Sequence, residues 1–430
     1  MATTEVIIIF AVLAITLIMR VPVAICLSSS AIAGALMLDL PLVSIIQRFY
    51  SGTESWVLIA IPLFMLAGTL MDVGGLSERM INFADSVVGF LPGGLANANI
   101  ASSIIFGGIS GSAAADTSAL GKILIPEMTK RGYPVAYTAA ITCSSSPLGM
   151  IIPPSIPMIL WCYVSGESLG DFFLAGIIPG ILTGVVLMAV STFICIKKGY
   201  QAQGTPFSME KLKSNFKNGA VALGAPVIII GGIRTGLFTA TEAAMAAVVY
   251  AFVATFFYYR ELKLGQVPSI LTRSGVGAAQ VMFIIGSATA FSWILTIYRV
   301  PTALGQLIVD YSGSPGGFVF LTSILIFVMG MFLDVSVIIL LIGPVVAPLF
   351  RPMGLDPVQI PMVFLLVLAT GLVTPPLGMC LFIAVAISKE KLEKVAVQCI
   401  PFVMAMVFVA VMLYFIPGLT LWLPSLKFGG

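Results

Sequence analysis

The chain has 430 residues, 59% of them apolar and 9% charged, with a formal net charge of +3 and no histidine. A soluble globular domain carries roughly 25% charged residues, so there are too few charges here to cover a water-facing surface. The chain reads as an all-α polytopic membrane protein in a lipid bilayer, and at ~20 apolar residues per span it has room for on the order of ten to thirteen membrane segments, with none left for a soluble catalytic domain.

The same composition narrows the chemistry. Without histidine there is no Ser-His-Asp catalysis and no imidazole metal site. Cys26, Cys143, Cys162, Cys195, Cys380 and Cys399 lie singly in apolar stretches and read as small buried hydrophobes. The weak net charge gives no reason to expect nucleic acid as a partner. Gly121-Lys122 is followed by Ile123, where a phosphate loop requires Ser or Thr. The chain is therefore expected not to be an enzyme, and transport through it must draw on an ion gradient or on a separate ATPase.

Apolar stretches fall at about 5–19, 21–39, 55–74, 92–128, 134–164, 172–196, 219–233, 237–258, 274–298, 316–350, 358–388 and 396–424. The first lacks the basic start and small-residue cleavage site of a removable signal peptide, and is expected to be retained. Stretches 92–128 and 316–350 are too long for one crossing and too short for two. Each is broken near its middle, by Gly107-Gly108-Ile109-Ser110-Gly111-Ser112 and by Gly330-Met331-Phe332-Leu333-Asp334. Both read as re-entrant helical hairpins. The stretches that follow them carry Pro153-Pro154 and Pro375-Pro376. Adjacent prolines remove two backbone donors and clash with the preceding turn, so these two helices must be broken at membrane depth.

The recurrence of this pattern is a duplication. The proline pairs are 222 positions apart and Asp116 and Asp334 are 218 apart. The expected organisation is a first repeat at 1–196, a cytoplasmic linker at 197–218 and a second repeat at 219–430. Placing the linker inside, with hairpins that return to their own side, puts fifteen Lys and Arg in the cytoplasm, among them Arg20, Arg79, Arg273 and Lys394. Five fall outside: Arg48, Arg234, Arg299, Arg351 and Lys427. By the positive-inside rule the repeats are then inverted. Inverted repeats with broken helices at the midplane characterise secondary transporters.

Unwound backbone is tolerated in a membrane only where protein buries it or it lines a cavity, so the two breaks imply a polar site. Hydroxyls and freed carbonyls are hard oxygen ligands suited to sodium, and half-helix N-termini attract carboxylates. The cation ligands expected, in about two sites, are Ser110, Ser144, Ser146 and Gly149 in the first half, and Gly330, Asp334, Thr370, Gly371 and Thr374 in the second. The substrate contacts expected are Ser110, Ser112, Asp116, Ser145 and Thr374. Asp116 and Asp334 stand out because an acid at membrane depth is expensive, and each can act as a helix cap, a cation ligand or both. Lys122, the one base within a hairpin arm, can compensate Asp116, meet an anionic substrate or snorkel to the interface.

Taken together, Ala60-Ile61-Pro62-Leu63-Phe64, Ser110-Gly111-Ser112-Ala113-Ala114-Ala115-Asp116, Ile151-Ile152-Pro153-Pro154-Ser155-Ile156-Pro157, Gly236-Leu237-Phe238-Thr239-Ala240-Thr241-Glu242-Ala243 and Gly371-Leu372-Val373-Thr374-Pro375-Pro376-Leu377-Gly378 carry a family resemblance. From about residue 5 to 424 the chain resembles DctM, the large membrane subunit of the tripartite ATP-independent periplasmic (TRAP) transporters. The resemblance implies an inverted-repeat elevator-type ion transporter fold, in which hairpins and broken helices slide against a scaffold in the bacterial inner membrane. It implies sodium coupling, with one ion between Ser110–Ser112 and Ser144–Gly149, the other between Gly330–Asp334 and Gly371–Thr374, and the substrate between the two tips. It also implies a periplasmic substrate-binding protein (DctP-type) and, because TRAP-like sequence begins at once, a separate small four-helix membrane subunit (DctQ-type). The Ala-Ala-Ala-Asp stretch is closer to the dicarboxylate and keto-acid branch than to the sialic acid branch, so a small organic anion is the expected cargo. A dicarboxylate or citrate-type symporter that works without a binding protein is the alternative.

Overall fold

The computed structural model describes residues 2–19, 21–200 and 207–426, and all regular structure among them is helical. Arg20 and Lys427 of the charge count, and positions 201–206 of the linker, lie outside the described residues. Six helices are long and apolar enough to cross a membrane, or up to eight if two sharply bent pairs each form one span, and five further apolar helices are shorter. This is fewer than the ten to thirteen segments expected from apolar runs. The difference arises because runs such as 92–128 and 134–164 are divided into short helices rather than continuous spans. Large apolar side chains such as Phe320, Phe408 and Phe415 point outward, as a hydrocarbon-facing surface requires.

Residues 92–128 form two helices, Gly94–Ser110 and Ala113–Lys130. Gly111 turns the chain between them in the left-handed region, at φ 60°, where a glycine carries no Cβ penalty. Ser112 is extended and its Oγ accepts from the Ala115 N–H at 3.5 Å, which caps the second arm. In the second half the arms are Pro315–Gly330 and Val335–Phe350. There Asp334 is the cap, its Oδ1 accepting from the Ser336 N–H at 2.8 Å.

Each proline pair lies between a helix end and a helix start. Val135–Ser145 runs into one 3-10 turn at Ser146–Met150, and the chain resumes as Ile156–Ser165 with Ser155 as its cap. In the second half Gln359–Gly371 ends before Pro375, and Met379–Ser388 follows. Both Pro–Pro bonds are cis. The first pair is buried and the second is exposed.

The two halves exchange partners. Ile156–Ser165 packs on Val335–Phe350, and Met379–Ser388 packs on Ala113–Lys130. The late half of each broken helix thus covers the capped arm of the other half's hairpin. In a second group of helices, Val23–Met37, Leu42–Thr53 and Trp56–Val73 pack around the 31-residue helix Val267–Ile297, which also touches Val335–Phe350, and Ala240–Val253 packs on Trp56–Val73. The space between these two groups is where the site lies.

The linker is partly helical. Met209–Arg234 is helical over 26 residues but bends by 60° between Met209–Lys217, in the hydrophilic stretch, and Gly219–Arg234. Ser208 caps it, accepting from the Lys211 N–H at 3.3 Å, and Lys211 pairs with Asp85 at 2.9 Å. A cap and a tertiary ion pair turn polar sequence into helix where composition alone suggests a connection.

Candidate functional site

Two backbone-to-backbone contacts hold each hairpin against its break. A Cβ on Gly107 would lie 2.7 Å from the Gly149 Cα, and one on Gly371 would lie 2.8 Å from the Gly330 Cα. Only a residue without a side chain lets main chains meet this closely. Gly149 and Gly371 are 222 positions apart, as are the proline pairs and the two hairpin caps, Ser112 and Asp334. The equivalence of Asp116 and Asp334 expected from their 218-residue spacing therefore fails. Asp334 matches Ser112, and Asp116 lies one turn beyond its own cap, where the second half has Ile338.

The consequence for Asp116 is large. It does not cap its helix and has no exposed surface. Its neighbours are the hydroxyls of Ser103 and Ser146. Ser146 Oγ donates to the Thr142 carbonyl at 2.8 Å, and Ser103 Oγ pairs with Ser145 Oγ at 2.9 Å. Neither carboxylate oxygen has a hydrogen-bond partner among the described residues, and the Ser144 hydroxyl has none either. Asn99 closes this buried polar layer by donating to Thr142 Oγ1 at 2.7 Å. A carboxylate so placed must meet a cation or a proton.

In front of this layer is a cavity of about 570 Å³. Ser110, Ser112 and Lys122 bound it on the first hairpin, Asp334 and Ser336 on the second. Its far wall is Gly68, Thr69 and Asp72 of Trp56–Val73 with Arg273 and Gln280 of Val267–Ile297. Arg273 is 3.9 Å from Asp72, whose other oxygen accepts from Ser77 Oγ at 3.2 Å.

The expected site residues therefore separate. Ser110, Ser112 and Asp334 face the cavity. Asp116, Ser144, Ser145, Ser146 and Gly149 are buried behind the first tip, so Asp116 and Ser145 are not cavity-lining substrate contacts. Gly330, Thr370 and Gly371 are buried at the second break. Thr374 is half-buried beside them, and its hydroxyl donates to the Thr370 carbonyl at 2.7 Å. Asp72, Arg273 and Gln280 were not expected. Asp72 had a signal, being the single acid in the apolar stretch 55–74. Arg273 reads in the sequence as a cytoplasmic loop base, and nothing in the sequence marks Gln280. Among the described residues no three His, Cys, Asp or Glu gather in one place, so any cation would be held mainly by hydroxyls and carbonyls. Glu242 is occupied elsewhere, in a capping box with Thr239.

The dual position of Asp334, as cap and cavity acid, can be tested with two substitutions. Asp334→Asn keeps an N-cap acceptor, and the thermal midpoint of the purified protein should be unchanged. Asp334→Ala should lose about 1 kcal/mol. If charge as well as capping matters, both variants should need more sodium for half-maximal uptake; unchanged sodium activation in Asp334→Asn would leave the residue only a cap.

A family model for the tripartite ATP-independent periplasmic transporter, DctM component, matches residues 10–419. The chain is 34% identical to the C4-dicarboxylate TRAP transporter large permease protein DctM of Pseudomonas aeruginosa, over 89% of each protein. It is also 34% identical to the sialic acid TRAP transporter large permease protein SiaM of Vibrio cholerae, over 89% of this chain and 90% of that one. Overall identity thus does not favour one substrate branch over the other. Among solved structures, the YdaH transporter of Alcanivorax borkumensis aligns over 90% of this chain and 89% of its own with a TM-score of 0.62 at 13% identity, a likeness of fold alone. With its helical membrane architecture, its paired glycine contacts and a match over nearly its full length, the chain belongs to the DctM family of TRAP transporter large permeases, and is a multi-pass transporter component rather than an enzyme.

Proposed function

We propose that this chain is the conducting subunit of a sodium-coupled importer of small organic anions in the bacterial inner membrane. A periplasmic substrate-binding protein delivers the anion, and a small membrane subunit completes the complex. The observation that carries the reading is the cavity of about 570 Å³ between the two hairpin tips and the helices opposite them. It meets the first-turn N–H groups of Ala113–Lys130 and the hydroxyl of Ser112, both suited to a carboxylate.

In this reading the hairpins and broken helices of two inverted repeats, 1–196 and 219–430, form the moving unit. Sodium binds behind each tip: near Ser110, Ser144, Ser146 and Gly149 in the first half, and near Gly330, Asp334, Thr370, Gly371 and Thr374 in the second. Ion binding rigidifies the tips, and the loaded unit moves past Trp56–Val73 and Val267–Ile297. The cavity holds acids and bases, Asp72 and Asp334 against Lys122 and Arg273, so an anion does not enter a strongly positive site and can leave it again.

The experiment is uptake of radiolabelled succinate, 2-oxoglutarate and sialic acid into proteoliposomes holding the membrane subunits, with the binding protein outside and an inward sodium gradient. Uptake of at least one of them should require both the gradient and the binding protein. Uptake independent of the binding protein would make the chain a conventional symporter; uptake indifferent to sodium would remove the coupling.

A further inference from the structure

We propose that residues 207–217 are an interfacial segment that binds anionic phospholipid, with Phe207, Met209 and Phe216 at the acyl boundary and Lys213 and Lys217 on the lipid phosphates. This surface is separate from the cavity and does not depend on what the cavity carries.

Gly219–Arg234, the apolar part of the bent pair, rises about 24 Å, most of a ~30 Å hydrocarbon core. Its first residue therefore lies near one membrane surface. The 60° bend then tips Met209–Lys217 out of the crossing direction and along that surface.

At 3.6 residues per turn the short helix divides into three faces. Lys211, Leu212 and Asn215 lie toward the helix Leu76–Val88, where Lys211 Nζ donates to Asp85 Oδ2 at 2.9 Å and Asn215 Nδ2 to the Asn82 carbonyl at 3.0 Å. Met209, Lys213, Phe216 and Lys217 share the adjoining face, and all four are exposed. Glu210 and Ser214 occupy the third, so the acid is kept off the face that carries the two lysines.

Phe207 and Phe216 each touch a ring on the neighbouring segment, Phe90 at 5.7 Å and Phe83 at 5.9 Å between centroids, yet remain 51% and 53% exposed. Apolar side chains so exposed in a charged stretch are unfavourable in water and favourable at the acyl boundary. Charge complementarity decides the kind of lipid. Lys211 is neutralised by Asp85, whereas Lys213 and Lys217 pair with no acid among the described residues. Anionic headgroups supply the missing charge, and a zwitterionic surface does not. Leu76–Val88 joins Trp56–Val73 to the hairpin arm Gly94–Ser110. Lipid bound here thus fixes the depth of the helix that leads into the first hairpin.

The test is amide hydrogen exchange on the purified membrane complex in phosphatidylcholine nanodiscs, with and without phosphatidylglycerol as a third of the lipid. Two lysines at an anionic surface contribute about thirtyfold in affinity, roughly fivefold each. Exchange over 207–217 should therefore slow by at least about fivefold when phosphatidylglycerol is present. The double variant Lys213→Gln, Lys217→Gln should lose that difference, and Lys213→Arg, Lys217→Arg should keep it. Slowing should extend to Leu76–Val88 through Lys211 and Asn215; slowing confined to 207–217 would overturn the link to the hairpin. Equal exchange in the two lipid compositions, or a difference that survives in the double Gln variant, would overturn the lipid site itself. So would equal slowing by soluble glycerol phosphate in phosphatidylcholine alone, which would make the lysines a site for a free anion.

Discussion

Gly107→Ala and Gly371→Ala should each reduce sodium-driven uptake by at least about tenfold and destabilise the purified protein by about 2–3 kcal/mol, the usual cost of overpacking a tight interior. In both cases the added Cβ meets main chain: the Gly149 Cα at 2.7 Å and the Gly330 Cα at 2.8 Å. Backbone cannot rotate away as a side-chain tip can, so the hairpin must move off its break. That displacement would carry the cap residues Ser112 and Asp334 with it. The reciprocal substitutions supply an internal control. A Cβ on Gly149 or on Gly330 would meet the facing glycine Cα at 3.3 Å, so Gly149→Ala and Gly330→Ala should cost about 1 kcal/mol and leave measurable uptake. Wild-type uptake in Gly107→Ala, or equal effects in all four variants, would show that the close approach is not needed for transport.

Asp116→Ala should have opposite effects on stability and function. The carboxylate is fully buried, and neither oxygen has a partner among the described residues. An unpaired buried polar group costs about 1–3 kcal/mol, and more when charged. Its removal should hold or raise the thermal midpoint measured without sodium. Sodium-stimulated uptake should fall by about a hundredfold, equivalent to ~2.7 kcal/mol of lost ion binding. Asp116→Asn, which preserves shape without charge, should behave in the same way if charge is what matters. Sodium activation equal to wild type in both variants would assign Asp116 a purely structural place among Ser103, Ser145 and Ser146. Because Asp116 does not face the cavity, substrate affinity measured at saturating sodium should change less than sodium affinity.

How legible the site was depends on the kind of signal each residue carries. The proline pairs and the glycine-rich tips are local signals, since Pro cannot donate and Gly alone tolerates left-handed turns and close backbone approach. The helix ends at Ser110, Met150, Gly330 and Gly371 follow from them. Asp334 could be read as a cap for the same reason. Asp116 could not be placed from spacing, because its offset of 218 from Asp334 is close to the repeat offset of 222 shared by the caps, the prolines and the glycines. Four residues are about one helical turn, enough to move an acid from the capping position to a buried face.

From the sequence alone came the membrane environment, the two interrupted helices, each after a glycine-broken pair of helices, and the family, all of which rest on composition and on residues whose backbone preferences are local. Only the tertiary structure decided that each broken helix covers the other half's hairpin, that Met209–Arg234 absorbs part of the linker, and that Asp72, Arg273 and Gln280 face the tips across one cavity. Those arrangements join residues as far apart as Asp72 and Asp334. No local preference encodes such pairings, which arise when helices bury their polar groups against one another because hydrocarbon cannot hydrogen-bond them.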